Sequence, residues 1–228
     1  MHVSIILPTY NEKENIQIIT TEIFRVFKKN KIKGEVIVVD DNSPDGTGAI
    51  AESLRKRYKN LLVFHRKKKA GLSSAVLTGI KISNSDIIGV MDADFSHPPP
   101  KIPSLLKKIK TCELVIGTRY AKGGKIKSWS MLRKIVSLAA NLLAKPIVKT
   151  RDPTSGFFFF KKEIIQNKKL SPRGFKIGLE IMVKCEPKIV EVPYTFTSRR
   201  MGKSKFTFKE IFNFLLQLFS LYLFKIGF

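Results

Sequence analysis

Short apolar runs alternate with longer segments of helical period along the first half of the chain. The helical period is clearest where Ile16, Ile19 and Ile23 recur at three- and four-residue spacing. The apolar runs cover residues 3–7, 35–39, 61–64, 87–91 and 114–116. Alternation of this kind predicts βαβ units, and strands that are apolar throughout indicate a sheet with helices on both faces. We therefore expect an α/β fold with a mostly parallel sheet.

Polar, turn-rich segments follow these runs directly. They begin at Pro8, Asp40, Arg66, Asp92 and Gly117. Ligands of parallel α/β sheets bind beyond the carboxyl ends of the strands, so the pattern predicts a binding site at that edge.

The pattern is looser after Tyr120. It predicts a helix over residues 130–144, a short helix near 177–184 and a strand near 189–196. We expect a catalytic domain over residues 1–205, including an interfacial helix at about 130–145, and a C-terminal amphipathic helix over 206–228.

Two cysteines, Cys112 and Cys185, lack the spacing of a metal site. We interpret them as packed thiols in a reducing compartment, with a disulfide between them as the alternative.

The chain carries a net charge of +24, from 42 lysines and arginines against 18 acidic residues. Such an excess predicts attraction to polyanions, which include nucleic acid, an anionic membrane and phosphorylated substrates. Acidic motifs at the strand ends argue against a nucleic-acid-binding protein, which remains an alternative of another class. The sequence enters an apolar strand almost at once, without a signal peptide, so we expect the catalytic part on the cytoplasmic side.

Asp92 and Asp94 end a buried strand and form the sharpest chemical pattern in the sequence. Alternate residues of a strand share a face, so the two carboxylates can project together and hold a divalent metal on a diphosphate. Ser96 or His97 is a candidate third ligand. A solvated turn explains an isolated Asp-x-Asp almost equally well.

Asp40 and Asp41 end another apolar strand. A carboxylate there can accept hydrogen bonds from the base or ribose of a nucleoside, and an Asx-turn is the alternative.

Four motifs occur in a familiar order: Ile-Leu-Pro-Thr-Tyr-Asn-Glu, Val-Val-Asp-Asp-Asn-Ser-Pro-Asp-Gly-Thr, Gly-Leu-Ser-Ser-Ala and Met-Asp-Ala-Asp-Phe-Ser-His-Pro-Pro. These four motifs resemble those of the family-2 glycosyltransferases, which have the Rossmann-like GT-A fold. Gly-Thr-Arg-Tyr at 117–120, Asp-Pro-Thr-Ser-Gly-Phe at 152–157 and Arg-Lys-Ile-Val-Ser at 133–137 narrow the resemblance to the polyprenyl-phosphate mannosyltransferases of that family. The similarity extends from Val3 to about Phe214.

The resemblance implies a role for individual positions. The nucleoside pocket would be lined by Pro8, Tyr10, Glu12, Val39 and Asp41. The metal would be held by Asp92, Asp94 and Ser96, with a backbone contact from Ala93. The acceptor phosphate would be held by Arg119, Arg133 and Ser137, and the donor phosphates by Arg199 and Lys205. Among these, Asp94, Arg119 and Arg133 are expected to be catalytic, and Arg119 also to contact the donor.

Two segments have the pattern of membrane-interface helices. In residues 130–144, Arg133 and Ser137 share one face beside an apolar stripe formed by Met131, Leu132, Ile135, Val136 and Leu138. Near the C-terminus a narrow polar strip of Asn213, Gln217 and Ser220 opposes Phe212, Leu215, Phe219 and Leu223. We expect both helices to lie at a membrane surface, with an ordinary core-packing helix as the alternative for the first.

The expected reaction is inverting transfer of mannose from GDP-mannose to dolichyl or polyprenyl phosphate, with Mg²⁺ or Mn²⁺ as cofactor. The expected location is peripheral, on the cytoplasmic face of a membrane, with a membrane subunit as a further partner and without nucleic acid. A lipid-phosphate glucosyltransferase that uses UDP-glucose is the nearer alternative. The chain departs from the family at Lys203, where glutamate is frequent, and in the aromatic run 158–160. We interpret both departures as affecting substrate fit.

Overall fold

A central sheet of seven strands organises the protein. We describe it from a computed structural model, which describes residues 2–127, 129–171, 174–197 and 208–227. The strands are β1 (His2–Thr9), β2 (Lys33–Asp40), β3 (Leu61–His65), β4 (Ile87–Val90), β5 (Leu114–Thr118), β6 (Lys125–Ile126), β7 (Phe158–Lys161), β8 (Ile189–Pro193) and β9 (Thr195–Phe196). The helices are α1 (Ile16–Lys29), α2 (Thr47–Arg55), α3 (Leu72–Ile82), α4 (Ile102–Lys108), α5 (Met131–Ala144), α6 (Ile177–Cys185) and α7 (Phe208–Lys225).

The sheet has the strand order β3-β2-β1-β4-β7-β5-β8, and β6 pairs with β9 in a separate two-stranded sheet. All pairings in the large sheet are parallel except those of β7, which runs antiparallel to both β4 and β5. The predicted α/β class and mostly parallel sheet are therefore confirmed.

Strand β7 corrects our interpretation of the aromatic run 158–160. Phe158, Phe159 and Phe160 are all buried and lie in the middle of the sheet. Phe159 fills the space beside Gly89, where an added Cβ would come within 2.4 Å of its ring. The run is therefore core packing between β4 and β5, not a substrate-fitting segment.

Alternate strand residues pack into two cores, one on each face of the sheet. Ile5 and Leu7 of β1 face the core that includes α1, α2 and α4. Ile6 faces the other core, which includes α3, α6 and α7. A strand buried on both faces requires apolar residues throughout, which explains the continuous apolar runs of the sequence.

Cys112 and Cys185 are free thiols, and burial raises the pKa of each.

Candidate active site

The carboxyl ends of β1, β2 and β4 meet at one edge of the sheet. Thr9 of β1 lies beside Asp40 of β2, and Ile6 of β1 lies beside Val90 of β4. Strand β5 ends at the same edge. Because β7 runs in the opposite direction, the loop 152–156 that leads into it lies at this edge as well. The topology thus brings five motifs of the sequence together.

Asp92, Asp94 and Ser96, the predicted metal ligands, follow β4 in a turn. Asp94 is buried, and its Oδ1 accepts a hydrogen bond from the Ser96 N–H at 3.0 Å, whereas the Asp92 side chain is 38% exposed. Ala93 between them is packed in the core. The Ser96 hydroxyl is buried without a hydrogen-bond partner among the described residues. A buried oxygen of this kind beside two carboxylates fits a hard divalent cation.

His97, the other candidate third ligand, stabilises this turn from inside the protein. Its Nδ1 accepts a hydrogen bond from the Asp92 N–H at 2.9 Å, and its ring stacks on Phe157 with centroids 5.1 Å apart. Burial lowers the pKa of His97, so the ring is neutral at pH 7. Since Nδ1 already serves as an acceptor, we favour Ser96 as the third ligand.

Gly156 allows the loop before β7 to approach the Asp92 turn closely. A Cβ at this position would lie 3.2 Å from His97 Cε1 and 3.8 Å from Asp92 Oδ2. A side chain would therefore press on the imidazole, while its Cβ would be in ordinary contact with the Asp92 carboxylate. The loop 152–156 consequently forms a wall beside the predicted metal ligands.

Asp41 and Asp40, the neighbouring carboxylates at the end of β2, have different partners. Asp41 is buried, accepts hydrogen bonds from the Gly71 N–H at 2.8 Å and the Ala70 N–H at 3.0 Å, and forms an ion pair with Arg66 at 3.1 Å. Asp40 accepts a hydrogen bond from the Ser43 N–H at 3.2 Å. The Asx-turn alternative therefore describes Asp40, and Asp41 fastens the loop after β3 to the predicted nucleoside pocket.

The other predicted nucleoside-pocket residues also gather at this edge. Pro8 and Val39 lie side by side in the β1–β2 register. Glu12 is buried and its Oε2 accepts a hydrogen bond from Asn15 at 3.0 Å. The ammonium of Lys69 lies 3.8 Å from the centroid of the Tyr10 ring. One face of the Tyr10 ring is thus covered by a cation.

Arg119 forms a buried ion pair with Asp152 of the loop before β7. Its Nη2 lies 2.5 Å from Asp152 Oδ1, and its Nε and backbone N–H both donate to Oδ2 at 2.8 Å. Nη2 also donates to Thr154 Oγ1 at 3.0 Å. Burial opposes the charge of Arg119, but Asp152 more than offsets this and raises the pKa of the guanidinium further.

Arg133 and Ser137, on one face of α5, approach Arg119 through the aromatic residues Trp129 and Tyr120. The guanidinium carbon of Arg133 is 4.4 Å from the centroid of Trp129, and that of Arg119 is 5.4 Å from it. The Tyr120 hydroxyl donates to Ser137 Oγ at 2.8 Å. The structure therefore brings together the three residues predicted for the acceptor phosphate.

The apolar stripe of α5 points away from the core. Met131 and Leu132 are each 72% exposed, Ile135 is 56% exposed and Leu138 is 52% exposed, while Val136 is half-buried. The opposite face carries Asn141, which is buried and accepts a hydrogen bond from Thr154 Oγ1 at 2.8 Å. A helix of this kind is not an ordinary core-packing helix, because its large apolar side chains lie outside.

Helix α7 packs on the core that includes α3 and α6, through a face with both apolar and polar residues. Leu218 and Leu221 are buried, and Gln217 of the predicted polar strip donates to the backbone O of Lys176 at 3.3 Å. Its large exposed apolar residues are Phe212, Leu215, Leu216, Phe219 and Phe224. The Tyr222 hydroxyl donates to the backbone O of Leu143 in α5 at 2.7 Å. Among the described residues, no helix combines the length and apolar character needed to cross a membrane.

Comparison with known proteins identifies the family. Residues 4–169 match the family described as glycosyl transferase family 2. The chain belongs to this family. It is therefore a glycosyltransferase, as the motifs at the strand ends predicted.

Two curated relatives of this glycosyltransferase narrow the comparison. It is 39% identical to dolichol-phosphate mannosyltransferase from Saccharomyces cerevisiae, over 98% of this chain and 88% of the relative. It is 43% identical to the enzyme of that name from Pyrococcus furiosus, over 97% of this chain. The chain spans 64% of the length of the Pyrococcus relative. The predicted resemblance to the polyprenyl-phosphate branch of the family is confirmed.

Solved structures show the same fold in more distant proteins. Glucosyl-3-phosphoglycerate synthase from Mycobacterium tuberculosis, in complex with Mn²⁺, UDP and phosphoglyceric acid, matches 99% of this chain and 78% of its own with a TM-score of 0.72 at 20% identity. Mannosyl-3-phosphoglycerate synthase from Rubrobacter xylanophilus matches the whole chain and 75% of its own with a TM-score of 0.67 at 18% identity. The predicted GT-A fold is confirmed.

Some residues of this site were not predicted from the sequence, and others lie outside the structural description. Arg199 and Lys205, predicted for the donor phosphates, lie outside the described residues. Trp129 and Lys176 were not predicted, although both border the arginines of the candidate site. The sequence signal for Lys176 is slight: it is a lysine at the start of a strongly apolar helix, in the segment Gly-Phe-Lys-Ile.

Proposed function

We propose that this glycosyltransferase transfers mannose from GDP-mannose to dolichyl or polyprenyl phosphate. The observation that carries the proposal is that the loop 152–156 contacts both an acidic and a basic group. Gly156 at one end of the loop approaches Asp92, whereas Asp152 and Thr154 bind Arg119. Arg133 shares the Trp129 ring with Arg119. A reaction between a diphosphate donor and a phosphate acceptor needs both a metal site and a second anion site. The relatives' printed name, dolichol-phosphate mannosyltransferase, supports the same substrates.

Asp92, Asp94 and the Ser96 hydroxyl would hold Mg²⁺ or Mn²⁺. Within the described ranges, no group of three His, Cys, Asp or Glu side chains is arranged to hold a metal ion. A site with two carboxylates and one hydroxyl leaves coordination positions for phosphate oxygens and water, as magnesium sites do. When bound, the ion would supply positive charge to the donor diphosphate and stabilise GDP as it leaves.

The acceptor phosphate needs no general base, because a phosphate monoester is already anionic at neutral pH. One of its oxygens forms a bond to the anomeric carbon of mannose while the bond from that carbon to the GDP oxygen breaks. Attack from the face opposite GDP inverts the anomeric configuration and gives a β-linked product. Arg133 and Ser137 orient the acceptor phosphate, and Arg119, fixed by Asp152, adds positive charge beside it.

The exposed faces of α5 and α7 support a peripheral location on a membrane. We propose residues 1–205 as the catalytic domain and 206–228 as an interfacial helix, at the cytoplasmic face, where polyprenyl phosphate would enter between the two helices. A membrane subunit would be a further partner. Basic surfaces add attraction to anionic lipids, at about 1 kcal/mol for each cation near the leaflet.

The double substitution Leu132→Glu, Ile135→Glu is expected to weaken binding to phosphatidylglycerol-containing vesicles by about tenfold or more, because it places charge on the inserted face of α5. Vesicle co-sedimentation measures this. Ile18→Glu is the control, since Ile18 of α1 is also exposed, at 40%, but lies outside the proposed interface. Equal binding of all three proteins would contradict the interfacial placement.

Arg133→Ala is expected to raise the KM for a short polyprenyl phosphate by about tenfold to a hundredfold, because a charge-assisted hydrogen bond to phosphate is lost. The KM for GDP-mannose should change little. Lys134→Ala, on the adjacent position of α5, removes the same charge from another face and serves as control. An equal rise for both variants would indicate a general charge effect instead of a phosphate contact.

A donor panel tests the proposed function. The purified chain, with Mn²⁺ and short polyprenyl phosphate, is supplied in turn with GDP-mannose and UDP-glucose, and the lipid product is identified by mass spectrometry. We expect a mannosyl lipid phosphate from GDP-mannose. If only a glucosyl product forms, the transferred sugar is glucose and the proposed donor is wrong. If no glycolipid forms at all, the proposed acceptor is wrong.

A further inference from the structure

Lys176 places a third cation beside the arginines of the proposed acceptor site. It directly precedes α6, and its Nζ donates to the backbone O of Thr154 at 2.7 Å. Thr154 Oγ1 in turn accepts from Arg119 at 3.0 Å. Lys176 is therefore linked through one residue of the loop 152–156 to the buried ion pair of Arg119.

The surroundings of Lys176 are costly for a positive charge. Its side chain is partly buried, and burial together with repulsion from Arg119 lowers the pKa of the ammonium to about 8. Arg133 repels it as well, whereas Asp92 and Asp152 attract it. Asp152 already pairs with Arg119, and in the proposed enzyme Asp92 holds a metal cation. The carboxylates that stabilise Lys176 are therefore already engaged by other cations.

We infer that Lys176 binds the acceptor phosphate directly, between the Asp92–Asp94 pair and the arginines Arg119 and Arg133. The inference rests on the proposed function and adds a residue to its acceptor site. With the metal balancing Asp92 and Asp94, three cations face one carboxylate, Asp152. The surplus of positive charge matches a phosphate monoester dianion.

Hydrogen-bonding capacity supports an anion at this position. An ammonium has three N–H donors, and Thr154 O accepts one of them. The indole Nε1–H of Trp129, which contacts both Arg119 and Arg133, is buried without an acceptor among the described residues. Buried donors without acceptors are uncommon, and a phosphate offers several acceptor oxygens at once.

The donor diphosphate is the other anion that would bind in this region. The proximity of Arg133 favours the acceptor phosphate over the donor diphosphate as the ligand of Lys176. Arg133 lies on α5, whose outer face carries the exposed apolar side chains that suit a lipid. The phosphate of a lipid inserted along α5 would meet Lys176 and Arg133 together. The experiment distinguishes the two phosphates by measuring each separately.

Lys176→Met tests the inference because methionine keeps most of the length of the side chain and removes its charge. Titrations measure the affinity of the full chain for short polyprenyl phosphate and, separately, for GDP with Mn²⁺. We expect a loss of about tenfold to a hundredfold in affinity for the lipid phosphate, and a change within about twofold for GDP. The thermal midpoint should stay the same or rise, because a partly desolvated charge has been removed.

Lys162→Met is the matched control. Lys162 Nζ also donates to a backbone carbonyl, Ser83 O, at 2.7 Å, but at the opposite edge of the sheet. It should leave both affinities unchanged. An unchanged lipid-phosphate affinity in Lys176→Met, or a loss confined to GDP, would overturn the inference. If the native chain binds lipid phosphate through Lys176 but transfers no mannose, the proposed function fails and the inference stands.

Discussion

Replacing Asp94 by alanine or asparagine should lower the rate of mannose transfer by a factor on the order of a thousand, because the donor diphosphate loses metal-borne charge in the transition state. Asparagine distinguishes this role from a structural one. Its amide oxygen can still accept the Ser96 N–H that Asp94 Oδ1 accepts at 3.0 Å, so the turn should persist. Initial rates at saturating Mn²⁺ measure the effect.

Asp86→Ala is the matched control for Asp94. Asp86 immediately precedes β4 and is exposed, whereas Asp94 lies beyond the other end of that strand and is buried. Removing Asp86 should leave transfer within about twofold, as surface substitutions remote from a site usually do. Near-native activity in Asp94→Asn would show that the carboxylate supports only the turn, and the proposed metal site would then be wrong.

Asp152→Ala should destabilise the fold by about 3–5 kcal/mol, because it leaves the guanidinium of Arg119 buried without its carboxylate. In the native chain Asp152 is fully buried and accepts three hydrogen bonds from Arg119. For a chain of this size the loss corresponds to a fall of about 10 °C in the thermal midpoint. Differential scanning calorimetry measures it.

The double variant Arg119→Met, Asp152→Leu separates the unpaired charge from the loss of packing. Replacing both members of a buried ion pair by apolar residues is often neutral for stability, so the double variant should recover most of the midpoint lost in Asp152→Ala. It should remain inactive, because the acceptor site has lost a cation. A double variant no more stable than Asp152→Ala would contradict this account of the ion pair.

The apolar runs predicted most of the sheet, because strands buried on both faces need apolar residues in succession. Predicted runs at 3–7 and 114–116 correspond to β1 (His2–Thr9) and β5 (Leu114–Thr118), with the ends extended. Strand β7 was not predicted. Its three phenylalanines have strong strand propensity, but the strand is only four residues long. Its position depends on the space beside Gly89, which Phe159 fills, and this space arises only in the folded sheet.

In the candidate site as well, some residues could be predicted from the local sequence and others only from the folded structure. Asp92 and Asp94 could be singled out locally, because the alternate spacing of two carboxylates at the end of an apolar run puts both on one face. The positions of Arg119 and Lys176 depend on the loop 152–156, which the antiparallel β7 carries back to the active edge. Their partnership joins residues 57 positions apart in the chain, and no local pattern records it.

The outward apolar face of α5 was predictable from spacing together with the family resemblance. Spacing alone shows an amphipathic helix but not which face is buried. In the structure the inner face is held by small and polar contacts, such as Asn141 with Thr154 at 2.8 Å, so the large side chains remain outside. The family motif at Arg133 and Ser137 therefore supplied what the hydrophobic pattern lacked.

Formation of mannosyl lipid phosphate by the purified chain is the most direct test of metal-dependent mannose transfer to a lipid phosphate. GDP-mannose labelled at the anomeric carbon is incubated with short polyprenyl phosphate, with Mn²⁺ or with excess chelator, and the product is examined by NMR. We predict a β-linked mannosyl lipid phosphate that forms with Mn²⁺ and not with chelator. An α-linked product, or one that forms equally in chelator, would contradict the mechanism proposed for this site.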